Sequence, residues 1–139
     1  MVSLEELEEI LRSVKTIAVV GASRSEQKAG HSIPSYLQQN GYRIIPVNPN
    51  AGGELFGEPV YKTLADVDVP VDMVDVFRPP ADADQIARDA VAIAAKVVWF
   101  QPGTASQSAV DIVAEAGIKV VTEACAGVVH RLINRAQVR

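Results

Sequence analysis

The chain has 139 residues, which is the size of one ordinary domain, and its hydrophobic fraction of 48% with 22% charged residues is typical of a soluble globular protein. No apolar run approaches the roughly 20 residues of a membrane span, and a formal net charge of −4 without a basic block argues against nucleic acid as a partner. The single Cys125 excludes an internal disulfide or a multi-cysteine metal cluster, and we expect a cytoplasmic protein because the acidic N-terminus is unlike a secretory signal.

Helical and strand patterns alternate from the N-terminus. Ser3 and Glu6 have capping-box spacing and open a helix that precedes a first strand at about residues 16–20. The next helix is predicted over 31–41, with Pro34 in its first turn and Gly41 at its end. A strand over 42–48 and an irregular stretch over 51–67 follow.

The second half continues the alternation. Asp82 with Gln85, and Thr104 with Gln107, repeat the spacing of a helix cap and predict the starts of two helices. The strands are predicted at 71–77, 97–100 and 118–124, and the helices at about 82–96, 104–116 and 126–137.

Five mainly apolar strands separated by helices predict a parallel sheet that is covered on both faces. Because crossovers are right-handed, we expect an α/β, three-layer, doubly wound Rossmann-like domain with strand order 3-2-1-4-5. No internal repeat, low-complexity tract or linker divides the sequence, so residues 1–139 are predicted to form a single domain.

In such sheets a ligand binds beyond the carboxyl ends of the strands. The predicted strand ends bring Gly21 to Arg24, Asn48 with Pro49, Phe77 to Pro79, and Gln101 to one edge. Gly21 permits a tight turn after which backbone amides could face a phosphate, and Ser23 and Ser25 add hydroxyl groups. Each of these residues is equally compatible with a purely structural role, so the prediction of a site depends on their convergence.

Positive charge at this edge comes from Arg24, Lys28 and Arg78, and an arginine can form a bidentate contact with phosphate. The spacing does not fit the standard nucleotide motifs. A dinucleotide fingerprint beginning at Gly21 requires glycines where Ser23 and Glu26 stand, and a P-loop requires Gly-Lys-Ser/Thr near Glu26. The pattern indicates a phosphorylated adenosine ligand that is neither NAD nor ATP in an obvious form.

Four motifs carry a family resemblance: IAVVGAS, YLQQNGYRIIPVNP, PVDMVDVFRPP and AAKVVWFQPG. Together, in this order, they resemble the small stand-alone CoA-binding domain proteins, which are related to the N-terminal CoA-binding domain of the succinyl-CoA synthetase alpha subunit. The resemblance extends over nearly the whole chain and implies a Rossmann-like domain that binds coenzyme A, or acyl-CoA, by its adenosine-diphosphate portion.

The same resemblance implies roles for particular residues. Ser23, Arg24, Ser25 and Lys28 correspond to a phosphate-binding loop, with Gly21 and Ala22 before it. The adenosine is implied to lie along Val47, Asn48 and Pro49. The remaining contacts implied are Phe77, Arg78, Pro79 and Gln101.

Residues for catalysis are few. His31 and His130 are the only histidines, and neither they nor Cys125 form a recognisable catalytic or metal-binding group. We therefore expect a binding module, acting as a carrier, sensor or regulatory subunit, rather than an enzyme. The alternatives are an NAD(H)-binding redox enzyme or sensor and the CoA-binding subunit of a split acyl-CoA synthetase; a homodimer is also open.

Overall fold

The computed structural model describes residues 2–138, with the backbone alone for residues 136–138. The predicted domain of residues 1–139 thus has its two terminal residues outside the described range. The helices are α1 (Leu4–Ser13), α2 (Ala29–Gln39), α3 (Ala83–Ala92), α4 (Gln107–Glu115) and α5 (Ala126–Val138). The strands are β1 (Thr16–Val20), β2 (Arg43–Val47), β3 (Glu54–Leu55), β4 (Glu58–Pro59), β5 (Met73–Val76), β6 (Val97–Phe100) and β7 (Lys119–Val121).

Five of the strands form one parallel sheet, in the order β2-β1-β5-β6-β7. Helices α1, α2 and α5 pack on one face of the sheet, and α3 and α4 pack on the other. The predicted three-layer, doubly wound Rossmann-like α/β fold is therefore confirmed.

The position of one strand differs from the prediction. The segment predicted as the third strand forms β5 and lies between β1 and β6, not at the edge beside β2. The outer side of β2 is occupied by a single parallel bridge between Tyr61 and Val47. The order is thus consistent with 3-2-1-4-5 when the Tyr61 bridge takes the third position, within the stretch that was expected to be irregular.

The core consists of two clusters because both faces of each central strand are buried. Along β1, Ile17 and Val19 contact the cluster beneath α1, α2 and α5, whereas Ala18 and Val20 contact the cluster beneath α3 and α4. Trp99 is fully buried, and its indole N–H donates to the carbonyl oxygen of Ala124 at 2.7 Å. Burial on both faces accounts for the nearly continuous apolar runs of the strands.

Helix starts are partly as predicted. Ser3 caps α1 by accepting the N–H of Glu6 at 3.2 Å. Thr104 does not cap α4; its hydroxyl donates to Gln101, and Ser106 accepts the N–H of Ala109 instead. Asp82 makes no cap hydrogen bond at the start of α3.

Helix α2 begins at Ala29, two residues earlier than expected, so Pro34 lies beyond the first turn. Among residues 2–138, no helix has the length and apolar character needed to cross a bilayer.

Candidate ligand-binding site

The turn after β1 requires glycine. Gly21 has a φ of +95°, in the left-handed region that side chains disfavour. A Cβ at this position would lie 3.1 Å from the backbone carbonyl carbon of Phe77 and 3.2 Å from Cδ of Arg78. The end of β1 is therefore packed directly against the segment that follows β5.

A second glycine allows α2 to approach this turn. A Cβ on Gly30 would lie 2.5 Å from the carbonyl oxygen of Gly21, closer than real structures tolerate. Pro34, four residues later, has no N–H to donate to the carbonyl oxygen of Gly30. That oxygen accepts the N–H of Ser23 at 3.0 Å, so the loop of residues 21–30, called the first loop below, is closed on itself.

Several amides that were expected to face a phosphate are used inside the protein. The N–H groups of Gly21 and Ala22 donate to the carbonyl oxygen of Val47 at 2.9 and 3.3 Å. The N–H of Ser23 is bound to Gly30, and that of Ser25 donates to the hydroxyl of Ser23 at 3.1 Å. Each of these four amides thus has an acceptor within the protein. The side chains of this part of the first loop are therefore its main candidates for contact with a phosphate.

The first loop carries two exposed cations. Arg24 donates from Nη1 to the carbonyl oxygen of Glu54 at 2.9 Å and from Nη2 to that of Gly52. It thereby ties the first loop to the β3–β4 hairpin. Lys28 is exposed directly before α2, and Ser25 is exposed earlier in the first loop.

The side chain of His31 forms a hydrogen bond with the backbone of the first loop. Its Nδ1 lies 2.7 Å from the carbonyl oxygen of Ser23, and because a carbonyl can only accept, Nδ1 carries the proton. His31 is thus a hydrogen-bonding residue near the start of α2.

Asn48 connects the ends of β1 and β2. Its Nδ2 donates to the carbonyl oxygen of Ala22 at 2.8 Å, and its Oδ1 accepts the N–H of Asn50 at 2.8 Å. An aspartate at this position would have no N–H for the carbonyl of Ala22. A dinucleotide fingerprint has an acidic residue at the end of the second strand, where this chain has Asn48. The Asn48 amide instead connects the backbones of two loops by hydrogen bonds.

The segment after β5 sends its side chains in different directions. Phe77 is half-buried and packs against the cluster beneath α1, α2 and α5. Arg78 lies on the pocket side; its Nε donates to Oδ2 of Asp82 at 3.0 Å, and its Nη2 lies 2.9 Å from the same oxygen. Pro79 is exposed and precedes the short 3₁₀ turn Pro80–Asp82. Phe77 is not among the residues that line the pocket described below.

A pocket of about 310 Å³ opens at this edge of the sheet, between the ends of β1 and β2 and the first turns of α3. Its apolar lining consists of Val20, Val47, Pro49, Leu64, Ala81 and Ile86. Its polar lining consists of Lys62, Thr63, Arg78, Asp82, Gln85 and Asp89. The volume and the mixture of a largely apolar floor with a few polar groups are those of a small-molecule site. Such a floor suits the flat face of a purine, and Arg78 and Lys62 suit an attached phosphate.

Gln101 does not reach this pocket. Its side chain is 5% exposed, and its Nε2 donates to Oδ1 of Asp75 at 2.6 Å. Asp75 is fully buried, and its Oδ2 has no hydrogen-bond partner among residues 2–138. Burial raises the pKa of Asp75 to about 7, although the bond from Gln101 opposes the rise. Gln101 lines a separate depression of about 280 Å³ beside β7.

The other candidate reactive groups lie apart from the pocket. Nδ1 of His130 is 2.8 Å from the hydroxyl of Tyr36, and partial burial lowers the pKa of His130. Cys125 is half-buried, and its carbonyl oxygen accepts the first backbone bond of α5 from Val129. Within residues 2–138 no three His, Cys, Asp or Glu side chains are grouped so that they could hold a metal ion.

Comparison with known proteins identifies the family of this chain. A family model described as a CoA binding domain matches residues 15–131. The chain belongs to this family. Over 128 residues it is 35% identical to the uncharacterized protein YneT of Bacillus subtilis, covering 92% of this chain and 94% of that protein.

The chain is also similar to a solved structure of its own size and to a segment of a larger enzyme. A solved structure from Thermus thermophilus, cell-free ID.343, is 40% identical, with a TM-score of 0.88 and coverage of 94% of this chain and 98% of that one. The ADP-forming acetate–CoA ligase of Methanocaldococcus jannaschii is 35% identical over 65 residues, which is 47% of this chain and 9% of the ligase. The chain thus matches relatives of its own size as well as a small part of a much larger enzyme.

Of the twelve residues that line the pocket, only Val47, Pro49 and Arg78 were predicted from the sequence as site residues. Lys62, Thr63 and Leu64 lie in the stretch that was expected to be irregular, and that stretch has no periodicity from which their direction could be inferred. Gln85 and Ile86 were assigned only to a helix. The spacing of Ile86 from Ala83 and Ala90 could have indicated the buried side of α3, but nothing in the sequence indicates which end of that side remains open.

Proposed function

We propose that this CoA binding domain binds coenzyme A or acyl-CoA through its adenosine-phosphate portion and does not catalyse a reaction by itself. The observation that carries the proposal is the pocket at the carboxyl ends of β1 and β2, with an apolar floor and Arg78 in its wall. Open α/β sheets bind ligands at this edge.

The arrangement of charge supports a ligand with several phosphate groups. Arg78 contributes to the pocket, and its Cδ packs over Gly21, at the start of the first loop. Arg24 and Lys28 are exposed on that same loop. A phosphate monoester carries a charge of about −1.5 to −2 at neutral pH, and CoA adds a diphosphate to its 3′-monoester. In our proposal the base occupies the pocket, and the phosphates extend along Arg78 towards the first loop.

The contacts of the two histidines support a binding role. His31 donates to the carbonyl oxygen of Ser23, and His130 is paired with the hydroxyl of Tyr36. Both rings therefore have a structural partner, and neither lines the pocket. A cytoplasmic location stays part of the proposal, because the single cysteine needs no oxidising compartment.

Calorimetric titration of the purified chain with CoA, dephospho-CoA and NAD tests the proposal. We expect CoA to bind most tightly, because it alone combines an adenosine with a 3′-phosphate and a diphosphate. Arg12→Ala is a suitable control, since Arg12 pairs with Glu8 on the surface of α1. Binding of NAD as tight as that of CoA would exclude the proposal and favour a redox role.

A second candidate function rests on the match to the acetate–CoA ligase. The matched region is 9% of that enzyme, so the present chain could supply CoA binding to a partner that holds the remaining machinery. Affinity purification of the tagged chain should then recover an ATP-grasp partner, and the mixture should turn over nucleotide only with CoA. Nucleotide turnover that does not depend on this chain would contradict a shared enzyme.

A further inference from the structure

Asp82 is an acidic residue in the wall of a pocket that is proposed to take an anion. One oxygen of its carboxylate, Oδ2, accepts the N–H of Arg78 Nε at 3.0 Å and lies 2.9 Å from Nη2 in an ion pair. The side chains of Arg78 and Asp82 are 39% and 45% exposed, so both can be reached from solvent. Asp82 does not cap α3, which leaves the contact with Arg78 as its described side-chain role.

We propose that Asp82 is a specificity-determining residue that lowers the preference of the pocket for phosphorylated over neutral adenosine ligands. This role rests on the proposed function, and in it Asp82 is the counter-ion of Arg78 within the pocket. A phosphate near Arg78 must share the guanidinium with a carboxylate oxygen that already accepts the N–H of Nε and lies 2.9 Å from Nη2. It must also approach the negative charge of that carboxylate, at a cost that depends on its own charge.

Neutral ligands do not meet this competition. The apolar floor formed by Val20, Val47, Leu64 and Ile86 is available to an adenine ring whatever the charge of Asp82. Asp82 therefore acts on the phosphate and leaves the base unaffected. The exposed position limits the effect to a moderate factor, because water and salt screen the interaction.

The chain contains a matched control outside the pocket. Asp111 is exposed on α4, its Oδ1 accepts a bond from Nε2 of Gln107 at 2.9 Å, and no ion pair joins it to an arginine or lysine among the described residues. Replacing Asp111 changes the net charge by the same amount as replacing Asp82. Only the replacement of Asp82 also releases Arg78.

The test compares adenosine, ADP and CoA on the wild type, Asp82→Asn and Asp111→Asn by calorimetry at low salt. We expect Asp82→Asn to bind ADP and CoA about fivefold more tightly, the factor for one unit charge at about 4 Å in water, with adenosine unchanged. Asp111→Asn should change ADP binding by less than about twofold. Asp82→Ala, checked by its melting temperature, serves as the second variant.

Two results overturn the inference while the proposed function stands: CoA binds the wild type, and Asp82→Asn binds ADP equally or more weakly, or it strengthens adenosine by the same factor as ADP. A wild type that binds neither CoA nor ADP overturns the proposed function itself, and the role of Asp82 with it. A gain for ADP alone that fades at high salt supports the inference.

Discussion

The two arginines of the candidate site are held in different ways, although each follows the carboxyl end of a strand. Arg24 donates to the carbonyl oxygens of Gly52 and Glu54, which are neutral. Arg78 donates from Nε to one carboxylate oxygen of Asp82, and its Nη2 forms an ion pair with the same oxygen. These partners leave the charge of Arg24 in place but offset that of Arg78. What a site offers to an anion is therefore set by the partners of its cations as well as by their number.

The largest effect on the first loop, which carries Arg24, is expected from a substitution in its backbone contact at Gly30. A Cβ on Gly30 would lie 2.5 Å from the carbonyl oxygen of Gly21, and both are backbone positions with little freedom to move. We expect Gly30→Ala to reduce the free energy of unfolding by about 2 kcal/mol or more, which lowers the melting temperature by roughly 6 °C. Differential scanning calorimetry measures the change.

Helix propensity alone predicts the opposite sign, because alanine favours a helix over glycine by about 1 kcal/mol. Gly52→Ala is the control, since a Cβ there has no neighbour within 4 Å, and it should leave the melting temperature nearly unchanged. A Gly30→Ala variant as stable as the wild type would contradict the close approach of α2 to the turn.

Asp75 sharpens the comparison, because it is a buried carboxyl whose described partner is an amide instead of a cation. Its pKa of about 7 in the folded chain lies above the roughly 3.9 of an unfolded aspartate. The folded state therefore holds this proton more tightly, and the stability it contributes is present below pH 4 and is lost as the pH rises to about 7. Asp75→Asn mimics the protonated form, so it should raise the melting temperature by several degrees at pH 8 and by little at pH 4.

Asp72 provides a control of opposite sign. Partial burial raises its pKa, but the N–H groups of Lys15 and Thr16 and the ammonium of Lys96 lower it further, so the net shift is downward. Its stabilisation is present at neutral pH and is lost as the pH falls through its folded pKa. Asp72→Asn should therefore destabilise the chain at pH 7 and less at pH 3. If both variants respond to pH in the same direction, the assignment for Asp75 is wrong.

The smallest expected effect compares the two arginines directly. Arg24→Ala should weaken CoA binding by about tenfold, the factor for loss of one exposed charge-assisted contact. Arg78→Ala should weaken it by only about threefold, because Asp82 already offsets part of the charge of Arg78. Calorimetric titration with melting temperatures as a check on folding measures both. Equal affinity of both variants and the wild type would refute the assignment of these residues to phosphate.

The elements that the sequence predicted well are those with a local cause. The box of Ser3 and Glu6 and the apolar run 97–100 specify α1 and β6 through neighbouring residues, and both formed as expected. The place of β5 depends on which strand pairs with β1, which no local pattern encodes. Thr104 lost its capping role to Ser106 because both hydroxyls precede the same helix and Thr104 binds Gln101.

The candidate site was predictable in outline for a similar reason. Parallel strands place their carboxyl ends at one edge, so Gly21 and Arg78 could be brought together from the strand pattern alone. The partners of the side chains could not be inferred in this way. Asp82 has the spacing of a helix cap but pairs with Arg78, and Gln101 follows a strand but turns inward to Asp75. Such choices depend on three-dimensional distances that differ by an ångström or two.

The contact between Gly21 and Gly30 explains why the first loop escapes familiar motif searches. The second glycine that the backbone requires stands at position 30, whereas the dinucleotide fingerprint places glycines where positions 23 and 26 lie. Residues 24–28 between them are exposed and take no part in that contact. We therefore expect substitutions within this stretch to leave the turn and the start of α2 in place, which makes it a convenient segment for redesigning ligand preference.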